Sequence, residues 1–507
     1  MSRFKMERPR SILRKVPLVF GVLGTVATMF PVDSQALPLF ARQTGQNCVA
    51  CHAGGQFPEL TPYGRAFKLT GYTIGDRVKV PLSVMAYASY TNVSDTSKSD
   101  NPAGDFAKNR SPVIGGGSVF AGGKITDNIG AFIQWTYDNY AAQDPNSGAW
   151  HGHSAMDNVD IRYADRFIDA NRDLIFGVSL NNNPSVSDVW NTSAAWMQYV
   201  PGAGVPANQF NDAATPYPGN SSGGNVAGVT AYVYLNKLLY AELGTYRTAN
   251  GIFSPLSMGL NNAGTTKLQG DNNPYWRLAL THEWGAHNIM VGTSGNIAYL
   301  YDDPTITSDP NSVSKITSTG LDAQYQYILD PHTITAQLAY MRQKTNYSAN
   351  TVAGNVGLGS PFGFVAADGS LLADPNSSDT INTFRAKLSY IFQAKYGGSL
   401  AYFNLTGTTN TANQTSGYDP ATGLITSDPT GTLGATALST RVNGNLSGNP
   451  ATRGFTYEAF WMPVQYARIG VQYTAYSKYN GASDNYDGMG RNASDNNTLF
   501  FYVWGAY

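Results

Sequence analysis

From Val80 onward the chain runs in stretches of alternating apolar and polar residues, the period-two pattern of strands whose two faces meet different surroundings. The first stretch is Leu82-Ser83-Val84-Met85-Ala86-Tyr87-Ala88-Ser89-Tyr90. Another sets Ile334, Ala336, Leu338 and Tyr340 on one face against Thr333, Thr335, Gln337 and Ala339 on the other. Sixteen strands are predicted, centred near residues 85, 116, 133, 161, 176, 231, 242, 279, 294, 321, 337, 386, 402, 457, 470 and 502.

The connections carry as much information as the strands. Short ones are expected at Asp127-Asn128, Ala170-Asn171, Asn236-Lys237, Gly285-Ala286, Asp330-Pro331, Gln393-Ala394 and Pro463-Val464. Between them lie long ones, roughly over 92–111, 139–155, 182–224, 247–274, 302–314, 346–379, 407–451 and 477–495. The long segments are rich in Asn, Ser, Thr, Gly and Asp and have little to bury, so they belong in water. Seven short and eight long connections are what sixteen strands need when both chain ends share one side. Short turns on one side and long loops on the other are the habit of barrels in the bacterial outer membrane. The fold class is therefore all-β: a transmembrane antiparallel β-barrel of about 16 strands.

The last strand agrees. It ends on Tyr507, and Gly505, Val503, Phe501 and Leu499 give it a mostly apolar face for lipid. Trp135, Tyr137, Tyr232, Tyr234, Trp276, Trp284, Trp461 and Trp504 gather toward strand ends and suit aromatic girdles. A solenoid would show a fixed repeat, and none is visible. A soluble sandwich would carry charge on its outer faces, whereas both faces of these strands are poor in it.

Composition sharpens this picture. Of 507 residues only 13% are charged, while Gly (53) and Tyr (32) are abundant. The mean hydropathy of −0.25 excludes a bundle of apolar membrane helices. Residues 1–36 read as an export signal: Arg3, Lys5, Arg8, Arg10, Arg14 and Lys15 precede the uncharged run Val16 to Phe30, and Ser34-Gln35-Ala36 offers a cleavage site before Leu37. Its removal takes away six basic and two acidic residues, leaving a mildly acidic protein with no basic patch for nucleic acid.

Both cysteines of the chain lie just beyond that site, in Cys48-Val49-Ala50-Cys51-His52. Two thiols three positions apart can each add to one vinyl group of a porphyrin, and the next residue can set its imidazole on the iron. The motif thus predicts one covalent haem c, with Cys48, Cys51 and His52 binding the cofactor and His52 as proximal ligand of the haem iron. A zinc site would need a second ligand pair, and no other Cys exists. Residues 53–84 hold neither Met nor His, so a sixth ligand comes from farther along the chain or is absent. Candidates are Met85, His151, His153 and Met156, with Met85 preferred because the alternation turns Met85, Tyr87 and Ser89 inward.

The segment 37–76 is too small for its own core. It runs without a linker into the barrel of 77–507, so this small α-helical c-type haem segment is expected at or inside the lumen. The run Phe40-Ala41-Arg42-Gln43-Thr44-Gly45, then Cys48-x-x-Cys51-His52, then Phe57-Pro58-x-Leu60-x-x-Tyr63-Gly64 resembles the head of the fused monohaem cytochrome–porins of the outer membrane. That family is best known from bacteria that oxidise ferrous iron outside the cell. Gly54-Gly55-Gln56 before Phe57 and the very long loops depart from the iron-oxidising pattern.

The resemblance implies an outer-membrane electron conduit. It would draw on an extracellular donor, ferrous iron, and deliver to a periplasmic electron-carrier cytochrome, with iron:cytochrome c oxidoreductase activity. The reverse flow to an extracellular acceptor would use the same parts. Two other classes stand beside it: a passive porin whose haem segment is a plug, and a peroxidase, for which His151 and His153 are the available distal groups. Asp302-Asp303 and the group Asp484, Asp487 and Asp495 lie in predicted outer loops, where solvated acidic loop is the expected reading. The sequence does not decide direction of flow, solute conduction or oligomeric state.

Overall fold

The computed structural model describes residues 38–507 apart from 56, 58, 100–105, 144–148, 191–224, 258–266, 357–375, 411–416, 420–423, 427–441, 443 and 489. The predicted export signal over 1–36 and the cleavage site before Leu37 lie outside the described residues.

Sixteen strands form one closed antiparallel barrel. They are β1 (Leu82–Val93), β2 (Pro112–Lys124), β3 (Ile129–Gln143), β4 (Trp150–Ile168), β5 (Asp173–Asn181), β6 (Val226–Leu235), β7 (Leu239–Thr248) and β8 (Asn273–Trp284). The second half comprises β9 (His287–Tyr301), β10 (Val313–Leu329), β11 (His332–Asn346), β12 (Ser378–Phe392), β13 (Tyr396–Gly407), β14 (Thr452–Val464), β15 (Ala467–Lys478) and β16 (Thr498–Ala506). Each strand pairs with its neighbour in sequence, and β16 closes on β1 in the register Met85↔Ala506 through Val93↔Thr498. Every predicted strand centre falls inside a strand.

Alternation decides which side chains meet lipid. Leu243, Leu278, Leu321, Leu338, Leu388 and Phe501 point out and are exposed. Their neighbours in sequence, such as Glu242, Arg277, Asp322 and Phe500, point in and are buried. Closure without edges pairs the strands' backbone polar groups with one another, and the largely apolar exterior suits hydrocarbon, which is how strands cross a bacterial outer membrane. Among the described residues no helix is long and apolar enough to do so.

Four of the sequence expectations need correction. Tyr232, Tyr234 and Trp504 are not girdle residues: they face inward and are 2%, 9% and 2% exposed. The connection expected over 139–155 is largely strand, since β3 runs to Gln143 and β4 begins at Trp150. The turn expected at Pro463-Val464 falls two residues later, at Gln465 and Tyr466. Charge is scarce on the outer face alone. The inner face holds buried pairs, among them Arg162 with Asp160 at 2.8 Å and Arg277 with Asp322 at 2.7 Å.

The N-terminal segment fills the lumen at the end that carries the short turns. It has three helices: α1 (Pro38–Thr44), α2 (Cys48–Cys51) and α3 (Pro62–Leu69). Pro38 and Pro62 open two of them, where the missing N–H costs nothing. Gly45 at φ 67° ends α1, and its N–H donates to Ala41 O at 2.8 Å. The segment has no complete core of its own. Phe40 packs on Phe67 and Tyr72 within it, then on Phe132 of the barrel wall at 6.2 Å between ring centroids. Leu69 is covered by wall residues including Tyr232 and Tyr240.

The loop that follows β5 also turns inward, through a short helix α4 (Pro184–Ser187) that ends near the buried Trp190. Lys68 of α3 donates to its carbonyls, Val186 O and, at 3.1 Å, Asp188 O.

Since the β1–β16 closure uses no atom of the plug, deleting residues 38–76 behind the export signal should leave a folded barrel. Heat-modifiable migration on a gel reports the barrel, and conductance in a planar bilayer should rise well above that of the intact chain. A deletion protein that never folds would contradict a self-sufficient wall.

Candidate functional site

The Cys-x-x-Cys-His turn is built from local capping and one close approach. Asn47 begins α2 in an extended conformation, and His52 ends it, extended at φ −118° with its N–H on Cys48 O at 2.8 Å. The chain then loops back, so that Ala53 N–H meets Glu59 O at 3.0 Å and Thr61 N–H meets Cys51 O at 2.9 Å. Thr61 caps α3 by accepting from Gly64 N–H at 3.1 Å, and its hydroxyl donates to Ala50 O at 2.5 Å. Gly64 is required here, because a Cβ on it would lie 2.1 Å from Cys51 O. That contact holds α3 against the motif.

The thiols and the imidazole therefore share one small volume. Cys48 is buried and Cys51 half-buried, with no disulfide between them. Burial, with the Cys48 thiol adding to it, pushes the Cys51 thiol up to about 11, so it is protonated at neutral pH. Cys48 Sγ donates to Gln465 Oε1 at 2.9 Å, which ties the motif to the turn between β14 and β15. The His52 ring sits 4.2 Å from that of Phe57, and Phe57 meets Trp504 edge-on at 5.6 Å. Cys48, Phe57, Phe500, Tyr502 and Trp504 form one buried cluster.

The wall separates the sixth-ligand candidates. Met85 and Tyr87 face inward as the alternation required, and both pack on the cluster that holds Cys48 and Phe57. His151, His153 and Met156 lie in the long-loop half of β4, whereas the plug touches that strand near Asp160 through Tyr72. The seven residues from His153 to Asp160 span about 23 Å at 3.3 Å each. The structure does not bring these three to the motif, and the distal group a peroxidase needs is not supplied by His151 or His153.

One sulfur escaped the sequence reading. Met462, near the short-turn end of β14, faces inward, and its Cε lies 3.7 Å from where a Cβ on Gly55 would sit. Nothing in the sequence links it to a motif four hundred residues earlier. Its inward parity on a predicted strand was the available signal.

Two thiols one turn apart, an imidazole beside them, two thioethers and an aromatic wall are a donor set that fits a covalently held haem. Among the described residues no group of three His, Cys, Asp or Glu side chains is arranged to hold a bare metal ion.

Buried polar contacts hold the plug. Arg65, fully buried, donates to Leu60 O at 2.9 Å, Gln326 Oε1 at 3.1 Å and Asn288 Oδ1 at 2.9 Å. Burial pushes its guanidinium down to about 10, against the pull of Tyr234 and Glu283, and it stays charged at neutral pH. Lys387 of β12 meets Glu59 at 2.7 Å, with both side chains under 10% exposed. Tyr72 Oη donates to Asp160 at 2.5 Å, and burial followed by the Asp160 charge raises its pKa well above the usual phenol range. Breaking one such buried pair costs about 3–5 kcal/mol, where a surface pair is worth about 1 kcal/mol or less. The plug is thus held firmly.

The acidic loop residues serve the loops. Asp302 accepts from Ser314 at 2.6 Å and Thr351 at 2.8 Å, Asp303 from Thr305 N–H at 2.7 Å, and Asp484 from Ser483 at 3.0 Å. Asp487 accepts from Arg491 N–H at 2.9 Å, and Asp495 pairs with Lys98 at 2.8 Å.

No family model matches the chain. No curated protein matches it either. Solved structures similar in fold are outer-membrane proteins. OmpF of Salmonella typhi, in complex with daunomycin, is 10% identical over 84% of this chain and 97% of its own, with a TM-score of 0.42. In-vitro folded OmpT of Vibrio cholerae is 10% identical over 84% and 96%, with a TM-score of 0.40. The channel DcaP of Acinetobacter baumannii is 12% identical over 84% and 96%, with a TM-score of 0.38. The likeness is one of barrel fold.

Lys68 gives the docking a pH dependence. Burial, with Arg162 adding to it, pushes its ammonium down to about 8, against the pull of Asp160, Asp188 and Glu242. A lysine released to water titrates near 10.4. The docked state then binds fewer protons between those values, so docking strengthens as pH rises from 8 to about 10.4 and carries its full penalty below 8. The urea midpoint for plug release, read by tryptophan fluorescence, should climb over that window and stay flat in Lys68→Met. Equal slopes in both proteins would remove Lys68 as the cause.

Proposed function

We propose that this protein is an outer-membrane electron conduit: a porin-type barrel closed at its periplasmic end by a plug that carries one c-type haem. The observation that carries this reading is the Cys48-x-x-Cys51-His52 turn packed inside the lumen, at the short-turn end, against an aromatic wall. The Cys48 and Cys51 sulfurs would hold the porphyrin and His52 the iron. Bound haem supplies a one-electron couple. Around it the protein's own groups do the rest. Phe57 packs on the imidazole with Trp504 edge-on behind it, and Gln465 accepts from Cys48 N–H at 3.3 Å, a contact that does not need the thiol proton. The missing side chain at Gly64, in the first turn of α3, lets that helix lie against Cys51. Short turns mark the periplasmic side in barrels of this kind, so a periplasmic cytochrome is the partner on the plug's face. Ferrous iron is the donor that the resemblance of the N-terminal motif implies.

A passive porin is the second reading, favoured by the polar lumen on the long-loop side of the plug. There Ser118, Gln134, Thr136 and Asn158 face inward and bond to one another, for example Ser118 with Thr136 at 2.8 Å. Such a lining suits water.

Liposomes carrying the protein around an enclosed redox dye separate the two. External ferrous iron should reduce the dye, a chelator should abolish the effect, and Cys48→Ser with Cys51→Ser should lose both covalent haem and dye reduction. A dye that stays oxidised while dithionite still reduces the haem would overturn conduction from iron. Large single-channel conductance from the intact chain would favour the porin.

The two bordering sulfurs give a separate expectation. Met85→Leu or Met462→Leu should move the haem spectrum from six-coordinate low spin toward five-coordinate high spin. A spectrum unchanged in both single variants and in the double would exclude a thioether ligand.

A further inference from the structure

Charge is distributed unevenly over the six strands β10 to β15. Their only carboxylates are Asp322, Asp379 and Glu458, and all three point inward. Asp322 and Asp379 are buried, and Glu458 is held by Arg468 at 2.9 Å. Lys315 of β10, Arg342 and Lys344 of β11 and Arg453 of β14 point the other way, in step with the lipid-facing Leu321, Leu338 and Phe455. All four lie at the long-loop end. Lys315 is half-buried and the other three are exposed. Among the described residues no carboxylate pairs with any of them.

Strand register sets their spacing. Lys315 stands opposite Asn346, so Lys344 is its diagonal neighbour, about 7–8 Å away. Arg342 follows on the same face two residues on, about 7 Å farther. Arg453 lies three strands along, about 14 Å across the sheet. Below the cations runs a row of outward rings. The Lys315 ammonium lies 5.7 Å from the Tyr299 ring, and Tyr340, two residues below Arg342, donates to Asn382 at 2.9 Å. The row continues through Phe384 and Tyr402, 6.2 Å apart, to Phe455, 5.0 Å from Tyr402. Such rings mark the level where hydrocarbon gives way to headgroups, so the cations stand in the headgroup layer. Like charges this close repel unless an anion lies among them.

We propose that Lys315, Arg342 and Lys344 form a binding site on the barrel's outer wall for lipopolysaccharide, the phosphorylated glycolipid of the outer leaflet. Long loops mark the outer side of such barrels, so this is the leaflet the cations meet. One phosphate of the glycolipid sits among the three, its second phosphate reaches toward Arg453, and its acyl chains lie along Leu321, Leu338 and Leu388. Arginine can grip a phosphate with two parallel N–H bonds, and the lysines add point charge. A phosphate monoester carries about −1.5 to −2 near neutral pH, more than the single charge of a phospholipid diester, so three clustered cations favour the glycolipid. The site uses neither the plug nor a haem.

The test uses the full chain in detergent micelles, bisphosphorylated lipid A as probe, and native mass spectrometry to count bound lipid. The wild-type protein should retain one lipid A, and a tenfold excess of phosphatidylglycerol should not displace it. The triple variant Lys315→Gln, Arg342→Gln, Lys344→Gln should bind at least tenfold more weakly, with its heat-modifiable migration unchanged. A control triple, Arg77→Gln, Lys79→Gln, Lys395→Gln, removes as much charge from exposed positions at the short-turn end and should bind as wild type does. So should Cys48→Ser with Cys51→Ser, so failure of the haem reading leaves this one standing. Equal retention in wild type and the first triple variant would overturn the proposal, as would equal loss in the control triple. Ready displacement by phosphatidylglycerol would also overturn it, and that arm needs the wild-type protein alone.

Discussion

The width of the lumen governs the rest of this structure. Sixteen strands enclose more space than their own inward side chains can fill, and barrels of that size otherwise leave an aqueous channel. Here the inner wall carries charged and aromatic groups that need partners out of water. Arg162 finds Asp160, and Arg277 lies between Asp188 and Asp322. Lys387 finds its partner in Glu59 of the plug, and Tyr232 donates to Leu69 O at 2.7 Å. Wall and plug fit one another: the segment lacks a core without the wall, and Lys387 of the wall takes its counter-charge from Glu59 of the segment.

The same dependence explains why loop and plug are joined. Asp188 turns its carboxylate to Arg277 and its carbonyl to Lys68. Trp190 then packs between Arg277 at 5.4 Å and Tyr240 at 5.2 Å, in the cluster that covers Leu69. A residue of a loop that starts on the long-loop side thus contributes to the seat of an element that enters from the other. Any displacement of α3 must break contacts to that loop as well as to the strands.

How much of this the sequence revealed follows from which interactions are local. Alternation is local, so strand centres, the inward turn of Met85 and the lipid-facing Phe501 could all be read directly. Turn chemistry is local too, and Asn236-Lys237 lies where expected. What escaped depended on partners far away. Tyr232, Tyr234 and Trp504 look like girdle residues until the plug gives their rings an apolar inner surface. The polar stretch around His151 and His153 has a loop's composition, and pairing with β3 makes it strand. At the candidate site the spacing of Cys48, Cys51 and His52 was itself local and visible in the sequence. Met462 and Gln465 were not, because only barrel closure brings β14 and its turn to Cys48.

Position within the barrel also limits what could reach a haem on this plug from outside. On β10 the plug's level is marked by Gln326, bonded to Arg65, and the long-loop end by Val313. That stretch of strand is about 43 Å long at 3.3 Å per residue, and the usual tilt of about 40° leaves about 33 Å along the barrel axis. Electron tunnelling decays steeply with distance, so a partner held above the loops is too far to exchange electrons directly. A donor would have to descend through the polar upper lumen to the aromatic wall at Phe57 and Trp504. That descent demands a small solute, since a folded protein or a mineral surface is too large to enter a sixteen-strand barrel. On the proposed reading, entry of solute into the upper barrel and electron transfer at its base are successive requirements on one pore, so a polar lining and a haem-bearing plug would share one chain without conflict.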